Sequence, residues 1–221
     1  MNRITVFDRA KGRLGVLTKV LAIAAAVVSP AVVLVLLMGA PRVFADRSAQ
    51  SAVLTVCVDG PPVCDYAAIQ DAVDSAAAGD TVRVAAGTYT ENVTIAKVVT
   101  IEGGWNEAFT VRDPAVNPAI IRPADETMTV VSINGPSADP DVPPPVLDGF
   151  AITGGRADQG GNHGGGLRIV ESNAVVRNNH IYSNTAYLLG GGVWVQRGAP
   201  LLESNRIESN VSLAPGQDTY G

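Results

Sequence analysis

Past residue 80 the chain has no stretch with the period of an amphipathic helix. Nothing can therefore serve as the crossover of a βαβ unit, which excludes a doubly wound α/β sheet. Positive charge is scarce where a polyanion would need it. Six of the sixteen Lys and Arg fall in residues 1–45 beside a lone Asp8, leaving ten basic and twenty acidic residues, net −10, for the remainder. Such a domain does not attract phosphate backbones, and with no basic stripe in view nucleic acid is excluded as a partner. Two histidines and two cysteines complete the list of scarcities. No Ser–His–Asp or Cys–His grouping can be assembled from them, and two thiols alone do not make a metal centre.

What the chain does have is self-similarity. Gly164-Gly165-Gly166-Leu167-Arg168-Ile169-Val170 returns as Gly190-Gly191-Gly192-Val193-Trp194-Val195-Gln196 after 26 residues, and Asn179 to Asn184 return as Asn205 to Asn210 at the same shift. Val146 to Thr153 align with Val175 to Tyr182 at a shift of 29, as expected where loops lengthen at a corner and the core register is kept. Stacking equivalent residues at a strand spacing of about 4.8 Å predicts specific neighbours. The period pairs Glu171 with Arg197, Arg177 with Glu203, Leu167 with Val193, Ile169 with Val195 and Ile181 with Ile207. Opposite charges and like aliphatics coincide.

Asn179 falls over Asn205 and Asn184 over Asn210, so their amides are expected to form a structural ladder that satisfies turn backbones, in preference to acting as sugar ligands. The glycine triplets read as tight corners needing positive φ; with no helix after them they do not cradle phosphate. Asn92-Val93-Thr94 and Asn210-Val211-Ser212 fit the glycosylation triplet.

Residues 1–45 read as a leader. Arg3, Arg9, Lys11, Arg13 and Lys19 precede an apolar run from Val20 to Ala40 broken only by Ser29 and Pro30, and Val43-Phe44-Ala45 suits cleavage before Asp46. The run also reaches the ~20 residues that span a bilayer, so the segment is a signal peptide or a membrane anchor, and membrane contact is expected only through residues 20–40. Both readings place residues 46–221 outside the cytoplasm, secreted or at the cell surface. Cys57 and Cys64 flank the turn Asp59-Gly60-Pro61-Pro62, and an oxidising compartment favours a disulfide over two reduced thiols.

Downstream, Ala52 to Val58 reads as an opening strand. A helix follows, capped by Asp65, striped by Ile69, Ala72, Val73 and Ala76 and ended by Gly79; its narrow alanine-rich face suits a lid over the first layer of a stack. Thr81 to Val84, Val93 to Ile95 and Val98 to Ile101 read as strands, the last stopping at Gly103-Gly104, and Asp139 to Pro145 as a bulging loop.

Tyr66-Ala67-Ala68-Ile69-Gln70-Asp71-Ala72-Val73, Gly79-Asp80-Thr81-Val82-Arg83-Val84 and Gly87-Thr88-Tyr89-Thr90-Glu91-Asn92-Val93 resemble the opening of right-handed parallel β-helix proteins of the pectin-lyase-like superfamily, over residues 66 to about 104. Gly103-Gly104-Trp105, Phe109 and Arg112-Asp113-Pro114 look like secreted bacterial β-helix repeat proteins. The resemblance implies an all-β, single-stranded, right-handed parallel β-helix, a solenoid with an N-terminal capping α-helix, behind the hydrophobic export or anchor helix. It also implies binding or cleavage of polysaccharide on the outside of the coil. The paired aspartates, glutamine and closing Arg-Pro-Trp of pectinesterases are missing. Pectate lyases carry an aspartate-rich calcium site with an arginine base; here Asp148 and Arg177 stack at a shift of 29 without a second or third acid, so no cofactor is expected and calcium is the one ion the pattern leaves open.

Arg168 and Trp194 stand 26 residues apart between inward-pointing aliphatics, which sends both outward as a cation–π pair that decorates the coil or holds a sugar ring. His163 lies in the glycine-rich loop 160–164, and His180, over Arg206, reads as a surface residue. The expected function is an exported scaffold or carbohydrate-binding module whose partner is a polysaccharide or cell-surface component. The alternative is a polysaccharide lyase or glycoside hydrolase with its acid and base on coils beyond this chain. A further glycine triplet falls due near Gly221 with no closing amphipathic segment. The domain is accordingly expected to be incomplete at its C-terminal end and to self-associate through the open coil.

Overall fold

In a computed structural model of the protein, residues 51–135, 143–158 and 163–213 are described. The leader, loop positions 139–142, the Gly160–Asn162 part of the histidine loop and the segment around Gly221 lie outside them. Among the described residues no helix is long and apolar enough to cross a membrane.

The short runs fold as strands because apolar and polar residues alternate, so that one face of each can be dry. In Val93-Thr94-Ile95 the flanking aliphatics are buried and the threonine is exposed. The fold is all-β, and among the described strands every ladder is parallel, with one isolated antiparallel bridge between Trp105 and Arg112. One sheet orders β1 (Val53–Val56), β2 (Thr81–Ala85), β5 (Thr100–Trp105), β8 (Val146–Asp148), β12 (Val175–Arg177) and β16 (Leu201–Glu203). A second orders β3 (Gly87–Thr90), β6 (Ala119–Arg122), β9 (Phe150–Thr153), β13 (His180–Tyr182) and β17 (Arg206–Glu208). A third orders β4 (Val93–Ile95), β7 (Val131–Asn134), β11 (Leu167–Val170) and β15 (Val193–Gln196), and a short fourth orders β10 (Arg156–Ala157), β14 (Thr185–Ala186) and β18 (Val211–Ser212).

In chain order the strands visit the sheets in rotation, and each circuit lies beside the previous one. The registers match the sequence shifts: Leu167 pairs with Val193, Ile181 with Ile207 and Val146 with Val175. The Arg177–Asp148 and Arg177–Glu203 stackings form as well, and Glu171 bridges Arg197. Inward residues of three sheets, among them Val82, Ile101, Ile121, Ile133, Leu147, Phe150, Ile152, Leu167 and Ile181, build one continuous core. At about 2 kcal/mol for each such side chain withdrawn from water, this interior is the main stabilising term.

Corners explain the period. Gly149, Asn178 and Ser204 fall at equivalent positions, each with positive φ, as do Gly154, Ser183 and Ser209. Non-glycine residues in this region cost about 1 kcal/mol each, and the asparagines that follow offset it. Asn179 Oδ1 accepts from Phe150 N, while its Nδ2 donates to Leu147 O and to Asn205 Oδ1. Asn184 repeats the pattern with Gly155 N, Ile152 O and Asn210 Oδ1. The left-handed angle thus sits one residue before each ladder asparagine and not on it. In the glycine triplets only Gly164 and Gly190 have positive φ; at Gly166 a Cβ would come within 2.8 Å of Gly192 O, so close approach of neighbouring circuits accounts for that glycine.

Three features differ from the sequence expectation. The helix α1 (Ile69–Ser75) buries Ile69, Ala72 and Val73 as expected, but its N-cap position is Ala68, without a side-chain bond. Asp65 is drawn away because Thr55 N and Oγ1 both donate to it, and the free N–H groups of Ile69 and Gln70 donate instead to the two oxygens of Glu91, each at 2.8 Å. Strand β5 runs through Gly103-Gly104 to Trp105, with an irregularity against Arg83–Ala85 that absorbs the left-handed Gly104. Strands β6 and β7 lie where no strand is expected from the sequence, although Val131-Ser132-Ile133-Asn134 alternates and buries Val131 and Ile133.

Candidate functional site

Cys57 and Cys64 form the disulfide that joins the end of β1 to the turn before α1. Their buried sulfurs pack with Ala85 and Phe109, so the bridge fastens the first circuit and exposes no reactive thiol.

On the third sheet, alternation puts Thr94, Ser132, Arg168 and Trp194 in one outward row, neighbours on successive strands. Asn134 and Gln196 flank Val170 in the next row. Arg168 Nη1 donates to Asn134 Oδ1 at 3.0 Å, and the guanidinium carbon lies 5.5 Å from the Trp194 ring centroid, within cation–π range. The structure adds what the sequence could not place: the imidazole of His163 stacks on the indole, centroids 4.5 Å apart and planes 20° from parallel. Both partners come from the segment leading into and along β11. Among the described residues no strand lies beside β15 on the side of Trp194 away from β11. Among the described residues His163 Nδ1 has no hydrogen-bond partner.

A second surface lies on the outer face of the second sheet. A cleft of about 600 Å³ opens there between the segment Arg112–Pro118 and Asn178, His180, Ser204 and Arg206. Behind its wall, Asp148 is buried and bonded to Arg112 at 2.7 Å, Arg177 at 2.7 Å and Asn178 at 3.0 Å. Burial works against ionisation of Asp148, but the hydrogen bonds from Arg112, Asn178 and Arg177 outweigh it and hold the carboxyl below its ordinary value. With three donors on its two oxygens and two guanidinium groups beside it, Asp148 is a structural anion that ties the Arg112 loop to the circuits. Among the described residues no group of three acids, histidines or cysteines gathers to hold a metal.

His180 stands beside Arg206 in register, as the period requires. Its Nε2 nevertheless meets Glu208 Oε1 at 2.9 Å, and Arg206 Nη2 donates to the other Glu208 oxygen at 2.9 Å. These two bonds hold the Glu208 carboxyl below its ordinary value. Sequence reasoning missed this contact because Glu208 lies two residues past the His180 register partner, along the strand and across it at once. It also missed Arg83 over Trp105, 4.3 Å from the centroid, although their sheet positions differ by only a short step. The two glycosylation triplets are engaged: Asn92 Nδ2 donates to Asp125 O and Thr129 O, and Asn210 Nδ2 to Ile181 O.

Compared with known proteins, the chain matches no family model, no curated sequence and no solved structure. The class defined by the fold is an all-β domain of stacked parallel strands, and its function rests on the residues themselves.

Proposed function

We propose that residues 46–221 form a right-handed, single-stranded parallel β-helix of the pectin-lyase-like kind, carried across a membrane by the leader, and that the domain is a non-catalytic scaffold that binds carbohydrate. The observation that carries this reading is the outward row Thr94–Ser132–Arg168–Trp194 with Asn134 and Gln196 beside it. Hydroxyls, amides and a guanidinium can pair with sugar hydroxyls, and an indole offers the apolar face of a pyranose a flat surface. The regular strand spacing presents these groups along the stack, which suits a chain-like ligand lying across the strands. The disulfide and the acidic charge of the domain accord with an oxidising, extracytoplasmic setting.

The test is retention of the protein on affinity gels containing a panel of soluble polysaccharides. One or more should retard it, and Trp194→Ala should weaken retention roughly tenfold, about 1.4 kcal/mol, with the fold intact. Equal mobility of Trp194→Ala and wild type on every retarding gel would remove the site.

Catalysis is a second reading, favoured by one observation: the imidazole of His180, on the wall of the cleft, is oriented by a carboxylate as a general base would be. Release of unsaturated or reducing ends from the same panel, abolished by His180→Ala, would establish it.

A further inference from the structure

Asn134-Gly135 is the only Asn-Gly pair in the chain. Such a pair carries its own chemistry, because the backbone nitrogen that follows an asparagine can attack the side-chain amide carbon, and glycine sets no Cβ in the way. The fold decides whether that attack is stopped. Asn134 ends β7, which has β4 on one side and β11 on the other, and it is half-buried on the outer face of the sheet. Gly135 turns into the left-handed region, with φ 55°. Among the described residues nothing beyond its chain neighbours lies within 4 Å of where a Cβ would stand, so a ring closing there meets no wall. One backbone bond opposes the reaction: Gly135 N donates to Val170 O at 2.9 Å. It is the bond at the end of its strand, and such bonds open by local fraying at far less cost than unfolding the domain.

The amide itself is activated. Arg168 Nη1 donates to Asn134 Oδ1 at 3.0 Å, and the Trp194 ring gives the guanidinium a second contact, 5.5 Å from the ring centroid. A cationic donor on this oxygen draws electrons from the amide carbon and stabilises the negative charge that attack places on the oxygen. Asp148-Gly149 shows the opposite case. Three donors hold its carboxyl ionised, and an ionised carboxylate resists attack by a backbone nitrogen. We propose that Asn134-Gly135 is a site of spontaneous deamidation in the folded domain, with Arg168 as the donor that promotes it. The Gly135 nitrogen bonds to Asn134 Cγ and its proton passes to water; the bond from Cγ to the side-chain nitrogen then breaks and ammonia leaves, closing a succinimide. Water adds to one of the two ring carbonyls and reopens the ring. A carboxylate now stands at position 134, on the normal backbone or on one lengthened by a methylene. On the normal backbone it faces the Arg168 guanidinium and turns an amide contact into an ion pair, so the outward row that carries Trp194 loses positive charge with age. The reaction needs no glycan and stands apart from the carbohydrate reading.

The experiment incubates the full chain at neutral pH in heavy-oxygen water and follows the peptide containing Ile133 to Gly135 by mass spectrometry. Exchange of the amide for an acid carrying one heavy oxygen at position 134 is expected in the native protein, with Asp148 unlabelled. Arg168→Ala should slow the native conversion roughly tenfold, and Arg168→Gln, which keeps an uncharged donor, should slow it less. In urea, where the guanidinium is no longer held on Oδ1, wild type and Arg168→Ala should convert at one rate. A native chain that stays unlabelled at position 134 while the urea-unfolded chain converts would show that the Val170 bond protects the pair, and would overturn the proposal. Equal or faster native conversion of both Arg168 variants would overturn it as well.

Discussion

The first and the last described circuits present the same kinds of residue in different surroundings. At the start, the backbone and aliphatics of the first circuit are covered: α1 lays Ile69, Ala72 and Val73 on the core, Gln70 pairs with Thr94, and Lys97 donates to the carbonyls of Asp74 and Ala76 at the helix end. At the last described circuit the same kinds of residue repeat the same pattern and lie open, Ile207 at 48% exposure against 0% for Ile181. Residue type and register are shared; only the presence of a further layer differs. Burial in this fold therefore belongs to the neighbouring circuit and not to the residue, as stacked repeats require.

The largest effect should come from breaking that contrast directly. Ile181→Ala leaves a hole between filled circuits and is expected to cost about 3 kcal/mol, whereas Ile207→Ala should cost under about 1 kcal/mol, both measured by urea unfolding. Similar losses at the two positions would mean that Ile207 is covered in solution.

A smaller contrast is expected along the ladder. Asn184 is 0% exposed and bonds to circuits on both sides, so Asn184→Ala should cost about 2 kcal/mol; Asn210, partly exposed, should cost roughly 1 kcal/mol on the same change. At the covered end, Glu91→Gln retains one acceptor but loses the charge that receives two helix N–H groups. A loss of about 1 kcal/mol, with faster hydrogen exchange confined to residues 69–75, is the expected outcome.

Acid should produce the gentlest effect. The folded carboxyls of Asp148 and Glu208 lie below their ordinary values, so the stability they contribute is present above the usual carboxylate range and is lost as pH falls through it toward the folded values. The unfolding midpoint should fall on acidification below about pH 4, and Asp148→Asn should flatten that slope.

Much of the fold was legible because the sequence repeats. A shift of 26 or 29 residues states which side chains are neighbours, and the Arg177–Asp148, Arg168–Trp194 and Asn179–Asn205 contacts follow from it without any coordinates. The capping of α1 was not legible in the same way. Asp65 stands where a cap is expected, yet Thr55 engages it, and the acceptor that the helix uses, Glu91, comes from a loop 22 residues away. The candidate site divides along the same line: Arg168 and Trp194 could be paired by counting, while His163 reaches the indole from an irregular glycine-rich loop.

The sequence by itself determined the period, the inward and outward faces and the corner asparagines, because each depends on local alternation or on one fixed offset. Only the tertiary structure decided which carboxylate caps the helix, that Asp148 takes three donors, that His180 answers to Glu208, and which aliphatics are dry. Those outcomes depend on distances between segments of unequal length, and where loops vary from circuit to circuit no constant offset encodes them.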